Sequence, residues 1–244
     1  MTGLPKLWTD AAQRMAASVP VIVATPQGTP RGTVLLVHGR NGAPAQPQIA
    51  EIALAYLARG WRVAAPELPH SAALPDSGPP DQLTFTGHVR AATGVWDWVA
   101  QQWPDTPRAL AGHSLGGFAV AHLAAASDDT HHVLAMSPPM SGQVLKRARE
   151  AMGPAAIDEV RRESPAYFAE MQTADAEPAL NLIAAPLAVV TGSEDGLIPL
   201  KDARAYFMAA QNGRFFGALP GEHHCPAGAP CAGMLNAALT ALGA

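Results

Sequence analysis

Seven short runs rich in β-branched and small apolar residues recur along the chain: Val19 to Ala24, Thr33 to Val37, Trp61 to Ala65, Arg108 to Ala111, His132 to Met136, Leu187 to Thr191 and Arg214 to Ala218. Between them lie longer stretches with apolar residues at helical spacing, among them Pro47 to Arg59, stopped by Gly60, and Thr84 to Gln102, stopped near Pro104. Further helices are expected to begin at Ser114, Lys201 and Cys231. Strands that are apolar almost throughout, alternating with helices, predict an α/β fold: a mainly parallel, doubly wound sheet of about seven or eight strands with helices on both faces. The segment Trp8 to Ala17 reads as a further helix lying on this body, with Leu7, Trp8 and Met15 as its contacts.

One stretch breaks the alternation. From Pro138 to Pro186 no strand pattern occurs, while Gly142 to Ala151 and Ala155 to Met171 read as two or three short amphipathic helices with charged faces. Its apolar members Met140, Val144, Leu145, Met152, Ile157, Tyr167, Phe168 and Met171 need something to cover, which favours a helical cap or lid (138–186) over ordinary peripheral helices.

The chain has 244 residues, within the span of roughly 200 to 250 that one α/β domain fills, so a single domain (1–244) is expected. At 48% hydrophobic and 15% charged residues its balance is globular. A formal net charge of -4 offers no surplus of cations to neutralise phosphates, which argues against a nucleic-acid partner. No run approaches the roughly 20 apolar residues of a membrane span, and Lys6, Asp10 and Arg14 interrupt what would be the apolar stretch of a secretory signal. These features point to a cytoplasmic location. Oligomeric state is not encoded in any pattern, and Cys225 and Cys231, close together in one loop, are compatible with pairing or with free thiols.

The chemistry begins at Gly112-His113-Ser114-Leu115-Gly116-Gly117, which follows an apolar run and precedes a helical pattern. A serine on a sharp strand-to-helix turn adopts a strained backbone that tolerates only small neighbours, and the turn lifts its hydroxyl above the strand ends. A serine hydroxyl needs a base to take its proton and a third group to fix the tautomer of that base. Leu187 to Thr191 runs into Gly192-Ser193-Glu194-Asp195-Gly196, where Asp195, preceding a turn glycine, is preferred to Glu194 as the acid. The last strand leads into Gly221-Glu222-His223-His224-Cys225-Pro226, and the position three after the glycine favours His224 over His223 as the base. Two histidines and two cysteines in this loop also raise a metal, but neither their spacing nor a second ligand cluster matches a structural zinc pattern, so none is expected.

Acyl transfer builds negative charge on a carbonyl oxygen, which fixed backbone donors stabilise. One donor is expected from Leu115, after the serine; the other comes from His38-Gly39-Arg40-Asn41-Gly42, with the Arg40 amide preferred and Gly39 as the alternative. The Arg40 side chain itself reads as an exposed loop arginine in preference to the alternative, a positive group beside the pocket that would favour an acidic substrate. Gly39, His113 and Met140 are the expected substrate contacts.

Taken in order, His38-Gly39, Gly112-His113-Ser114-Leu115-Gly116-Gly117, Asp195 before Pro199, and His224-Cys225-Pro226 make the chain similar to the α/β-hydrolase superfamily from Thr33 onward. The resemblance implies a serine hydrolase that cleaves esters, thioesters or amides of small molecules through an acyl-enzyme without a cofactor, with a cap after the strand ending near Met136. Two departures stand out. Glu67-Leu68-Pro69-His70-Ser71 replaces the aspartate and glycine-rich turn of many relatives, and His38-Gly39 lacks the extra glycines of the subgroup resembling hormone-sensitive lipase. The same fold also supports perhydrolysis, carbon–carbon bond hydrolysis, lyase steps or ligand binding without turnover.

Overall fold

The computed structural model describes Trp8 and residues 10–244. Its eight strands form one sheet in the order β1-β2-β4-β3-β5-β6-β7-β8. They are β1 (Ala12–Ala16), β2 (Val19–Ala24), β3 (Gly32–Val37), β4 (Trp61–Pro66), β5 (Arg108–His113), β6 (Thr130–Met136), β7 (Leu187–Gly192) and β8 (Gly213–Leu219). From β4 to β8 all pairings are parallel, whereas β1 and β2 are antiparallel to their neighbours. The fold is therefore the expected α/β one, and each of the seven strand-like runs lies in a strand.

Side chains of the central strands alternate between two cores, as the two-residue period of a strand requires. Leu35, Val37, Leu110, Val133, Ala135, Leu187 and Val189 face one side; there they meet α2 (Phe85–Gln102), α3 (Leu115–Ala125) and α8 (Leu200–Ala209). Val34, Leu36, Ala111, Leu134, Met136 and Val190 face the other, beneath α1 (Pro47–Ala58) and α9 (Ala229–Ala241). Covering both faces explains why β3 and β7 are buried at every position. Helix α3 lies at the centre of its layer, which is why it is apolar around nearly its whole circumference.

The amino-terminal expectation needs correction. Residues 12–16 form strand β1, paired with β2 through a two-residue turn in which Ala17 takes φ 52. Ala, Gln, Arg and Met are good helix formers, but pairing with β2 outweighs that weak local preference. Trp8 is buried and donates its Nε1–H to the carbonyl of Pro44, whereas Met15 is 56% exposed. Leu7 lies outside the described residues.

The segment after β6 contains α4 (Gly142–Ala151), α5 (Pro154–Glu163), α6 (Pro165–Glu170) and α7 (Glu177–Leu180), one helix more than its pattern predicts. A backbone bridge between Ser141 and Asp175 closes its base. Ser141 caps α4 by accepting the Val144 amide, and Val144, Leu145 and Ala148 form the buried stripe of that helix. Polar contacts fasten the segment to the body: Glu170 accepts from the Thr86 amide and hydroxyl, and Ser164 donates to the carbonyl of Pro80. Tyr167 stacks on Phe85 with ring centroids 4.3 Å apart. Among the described residues no helix is long and apolar enough to cross a membrane.

Candidate active site

Ser114 stands between β5 and α3 with φ 54 and ψ -123, a strained conformation for a residue with a side chain. The turn survives because its neighbours are glycines. A Cβ on Gly112 would collide with the carbonyl of Gly116, and one on Gly116 with the carbonyl of Val37. The Ser114 amide is held by the carbonyl of Met136 at 2.9 Å, tying the turn to the next strand.

Two loops bring the other groups. His224, in the loop after β8, places Nε2 2.9 Å from Ser114 Oγ and Nδ1 2.9 Å from Asp195 Oδ2. Asp195 follows β7, and its Oδ1 accepts the amides of Leu197 and Ile198, both at 2.9 Å. Its side chain is thus oriented by backbone donors before it meets the imidazole. Burial alone would raise the Asp195 carboxyl, but the hydrogen bond and charge of His224 and the two amides outweigh it and hold the group below its ordinary range. With a carboxylate at Oδ2, Nδ1 of His224 is the protonated nitrogen and Nε2 is free to accept from the serine hydroxyl. Glu194 is exposed, and His223 turns away to donate Nδ1–H to the Glu194 carbonyl at 2.9 Å. Gly192 permits this assembly, since a Cβ there would strike the carbonyls of Glu222 and His223.

Three further histidines brace the site. His113 donates Nε2–H to the backbone carbonyl of His224 at 2.9 Å, so the residue before the serine holds the loop of the imidazole partner. His88, on α2, donates to the carbonyl of His38 at 2.9 Å. His38 in turn donates Nδ1–H to the Gly39 carbonyl and accepts the Leu68 amide on Nε2. Burial pushes His113 and His88 down to about 3 and His38 down to about 4, so all three act as neutral hydrogen-bonding groups. Sequence reasoning missed His88, because a histidine inside a helical pattern carries no sign of the loop it will support.

The loop after β3 presses against the serine. A Cβ on Gly39 would lie 2.8 Å from Ser114 Cβ, and a turn from Gly39 to Gly42 at 3.0 Å brings Arg40 around beside it. The backbone amides of Arg40 and Leu115 donate to no described protein group.

Above these groups is a cavity of about 250 Å³ whose lining includes Ser114, His224, Gly39, Arg40 and His113. Met140 does not reach it. Its carbonyl accepts the Ala176 amide at the base of the helical segment, and its side chain packs on the core, so Leu145, Tyr167 and Met171 supply the apolar wall instead. The Arg40 side chain also departs from expectation: only 12% exposed, it pairs with Glu163 at 2.9 Å and lies over the Tyr167 ring. Both cysteines are free, Cys225 exposed and Cys231 buried.

Comparison with known proteins agrees with this architecture. Residues 28–158 match the family described as serine aminopeptidase, S33. Comparison with curated proteins gives no match. Among solved structures, Est1E from Butyrivibrio proteoclasticus with bound ferulic acid is 17% identical with a TM-score of 0.77, covering 93% of this chain and 97% of that one. An alpha-beta serine hydrolase homologue from Coxiella burnetii is 17% identical with a TM-score of 0.64, over 96% of this chain and 95% of that one. A monoacylglycerol lipase from Paleococcus ferrophilus is 20% identical with a TM-score of 0.58, over 84% and 90% of the two chains. The matched span contains more than half of the chain and includes the strained serine turn: this protein belongs to the serine aminopeptidase, S33, family and is an α/β-hydrolase of the serine hydrolase type.

Proposed function

We propose that this chain hydrolyses carboxylic esters or thioesters of small to medium size through an acyl-enzyme on Ser114. The observation that carries the reading is the unbroken relay from Ser114 Oγ through the imidazole of His224 to Asp195, with both contacts at 2.9 Å. His224 Nε2 takes the hydroxyl proton as Oγ attacks the substrate carbonyl, and Asp195 stabilises the imidazolium that forms. The amides of Leu115 and Arg40 receive the oxyanion, each such donor being worth about 10² to 10³ in rate. The imidazolium then protonates the departing alcohol or thiol. Water, deprotonated by the same nitrogen, releases the acid in a second attack.

Residues 138–186 act as the cap of this site, setting the wall opposite the serine, within what we take to be one α/β-hydrolase domain. His113 is a positioning residue in this scheme, fixing the backbone of the base. An aminopeptidase reading, suggested by the family description, requires an acidic group to take the substrate ammonium. Among the described residues the cavity lining carries Arg40 and Arg149 and no carboxylate, which favours esters.

The test is labelling by a fluorophosphonate with the modified residue located by mass spectrometry, alongside turnover of short and medium p-nitrophenyl esters. Labelling at Ser114, with turnover abolished in Ser114→Ala and the fold retained, is the expected outcome. A folded protein that neither labels nor turns over esters would move the chain to a ligand-binding role.

A further inference from the structure

The cavity that holds the serine is unusual in its charge. Arg40 comes from the loop after β3 and Arg149 from α4 of the cap, so two guanidinium groups from separate elements line one small space. Their side chains are only 12% and 20% exposed. Each has a carboxylate on its outer side, but neither is used up by it. Arg40 gives Nη2 to Glu163, while its Nη1 donates to no described protein group. Arg149 approaches Glu159 only to 3.6 Å, beyond a hydrogen bond. The Tyr167 hydroxyl adds a third donor to the same wall and has no hydrogen-bond partner among the described residues. Arg149 is held below its ordinary range by burial and then by the Arg40 charge, so each cation feels the other. Two partly desolvated cations held together with unsatisfied donors form an arrangement that an anion would relieve.

We propose that the preferred substrate is an ester carrying a free carboxylate, which Arg40 and Arg149 grip together while Ser114 attacks the ester carbonyl. A carboxylate matches the planar fork of guanidinium donors, and Tyr167 can donate to a remaining lone pair. Because one arginine belongs to the body and the other to the cap, the same anion would tie the cap down over the site. This specificity rests on the ester-hydrolase reading above, but its ground-state part can be measured without turnover.

The experiment uses Ser114→Ala protein, which cannot form the acyl-enzyme, and compares by calorimetry the binding of monomethyl adipate with that of its neutral isostere, methyl adipamate. The anionic ester is expected to bind at least about ten-fold tighter, as a charge-assisted pair in a partly desolvated site should. Adding Arg149→Met should bring the ratio to within about two-fold of unity, and Arg149→Lys, which keeps the charge but loses the fork, should leave an intermediate ratio. Equal affinities in Ser114→Ala, no measurable binding of the hemiester, or a preference untouched by folded Arg149→Met would each overturn the proposal. Fluorophosphonate labelling of the wild type separates the two claims. Labelling at Ser114 with equal binding removes the anion site and leaves the hydrolase, whereas preserved preference without labelling does the reverse.

Discussion

Replacing Asp195 by asparagine tests the proposed relay more sharply than removing the serine, because the structure dictates how the amide must sit. Oδ1 of Asp195 accepts two backbone amides, from Leu197 and Ile198, each at 2.9 Å. In Asp195→Asn only the amide oxygen can accept them, so its NH₂ is forced toward His224 Nδ1. Two donors would then face each other at a separation of 2.9 Å. The imidazole escapes by moving its proton to Nε2, the nitrogen that must accept from Ser114. Inverting the tautomer in this way costs about 10⁴ in kcat, or roughly 5.4 kcal/mol of barrier. The fold should survive, since the side chain is isosteric and both backbone hydrogen bonds remain. Steady-state hydrolysis of a p-nitrophenyl ester gives the rate, and thermal unfolding monitors the fold. A loss of less than about ten-fold in a folded variant would refute the assignment of Asp195 as the orienting acid.

Other expectations follow from neighbouring contacts. His113→Ala removes one hydrogen bond to the His224 carbonyl, and should lower kcat by about 5- to 160-fold, the range for a buried hydrogen bond of roughly 1 to 3 kcal/mol, while KM changes little; an unchanged kcat would dismiss the positioning role. Gly116→Ala drives a methyl group into the Val37 carbonyl, so thermal unfolding should report a destabilisation of about 3 kcal/mol or more, or no soluble protein. His38, His88, His113 and His132 are all held neutral by burial at pKa values of about 3 to 4, below their ordinary 6.5. The unfolded chain therefore takes up protons first as pH falls, so their contribution is complete above pH 6.5 and is lost progressively from there toward pH 3; Asp195 adds a further loss below its ordinary 3.8. Urea titrations at pH 7.5, 6 and 5 should show this fall, and flat stability across them would contradict it.

What the sequence disclosed and what it hid divide along a physical line. Positions where one residue type is compulsory were legible: glycines flanking a strained serine, a carboxylate before a turn glycine, a histidine in the loop after the last strand. Each is forced by local backbone geometry or by the proton chemistry, and the order along the chain sets which strand ends they share. Contacts decided by packing at a distance were not legible. Residues 12–16 have helix-forming composition and yet pair with β2, because the register of a hairpin is a tertiary fact. Met140 was expected at the substrate, but the bridge from Ser141 to Asp175 fixes it at the base of the helical segment. Arg40 shows the distinction within one residue. Its backbone position follows from the glycine turn, whereas its side chain is drawn inward by Glu163 on α5 and by Tyr167 on α6, from a segment more than 120 residues away, as the 123-residue separation of the ion pair records. No local pattern around His38-Gly39 encodes that encounter. In the proposed scheme the helical segment 138–186 would therefore do more than cover the site: by turning an ordinary loop arginine into a cavity wall, it would give a shared frame a charge preference of its own.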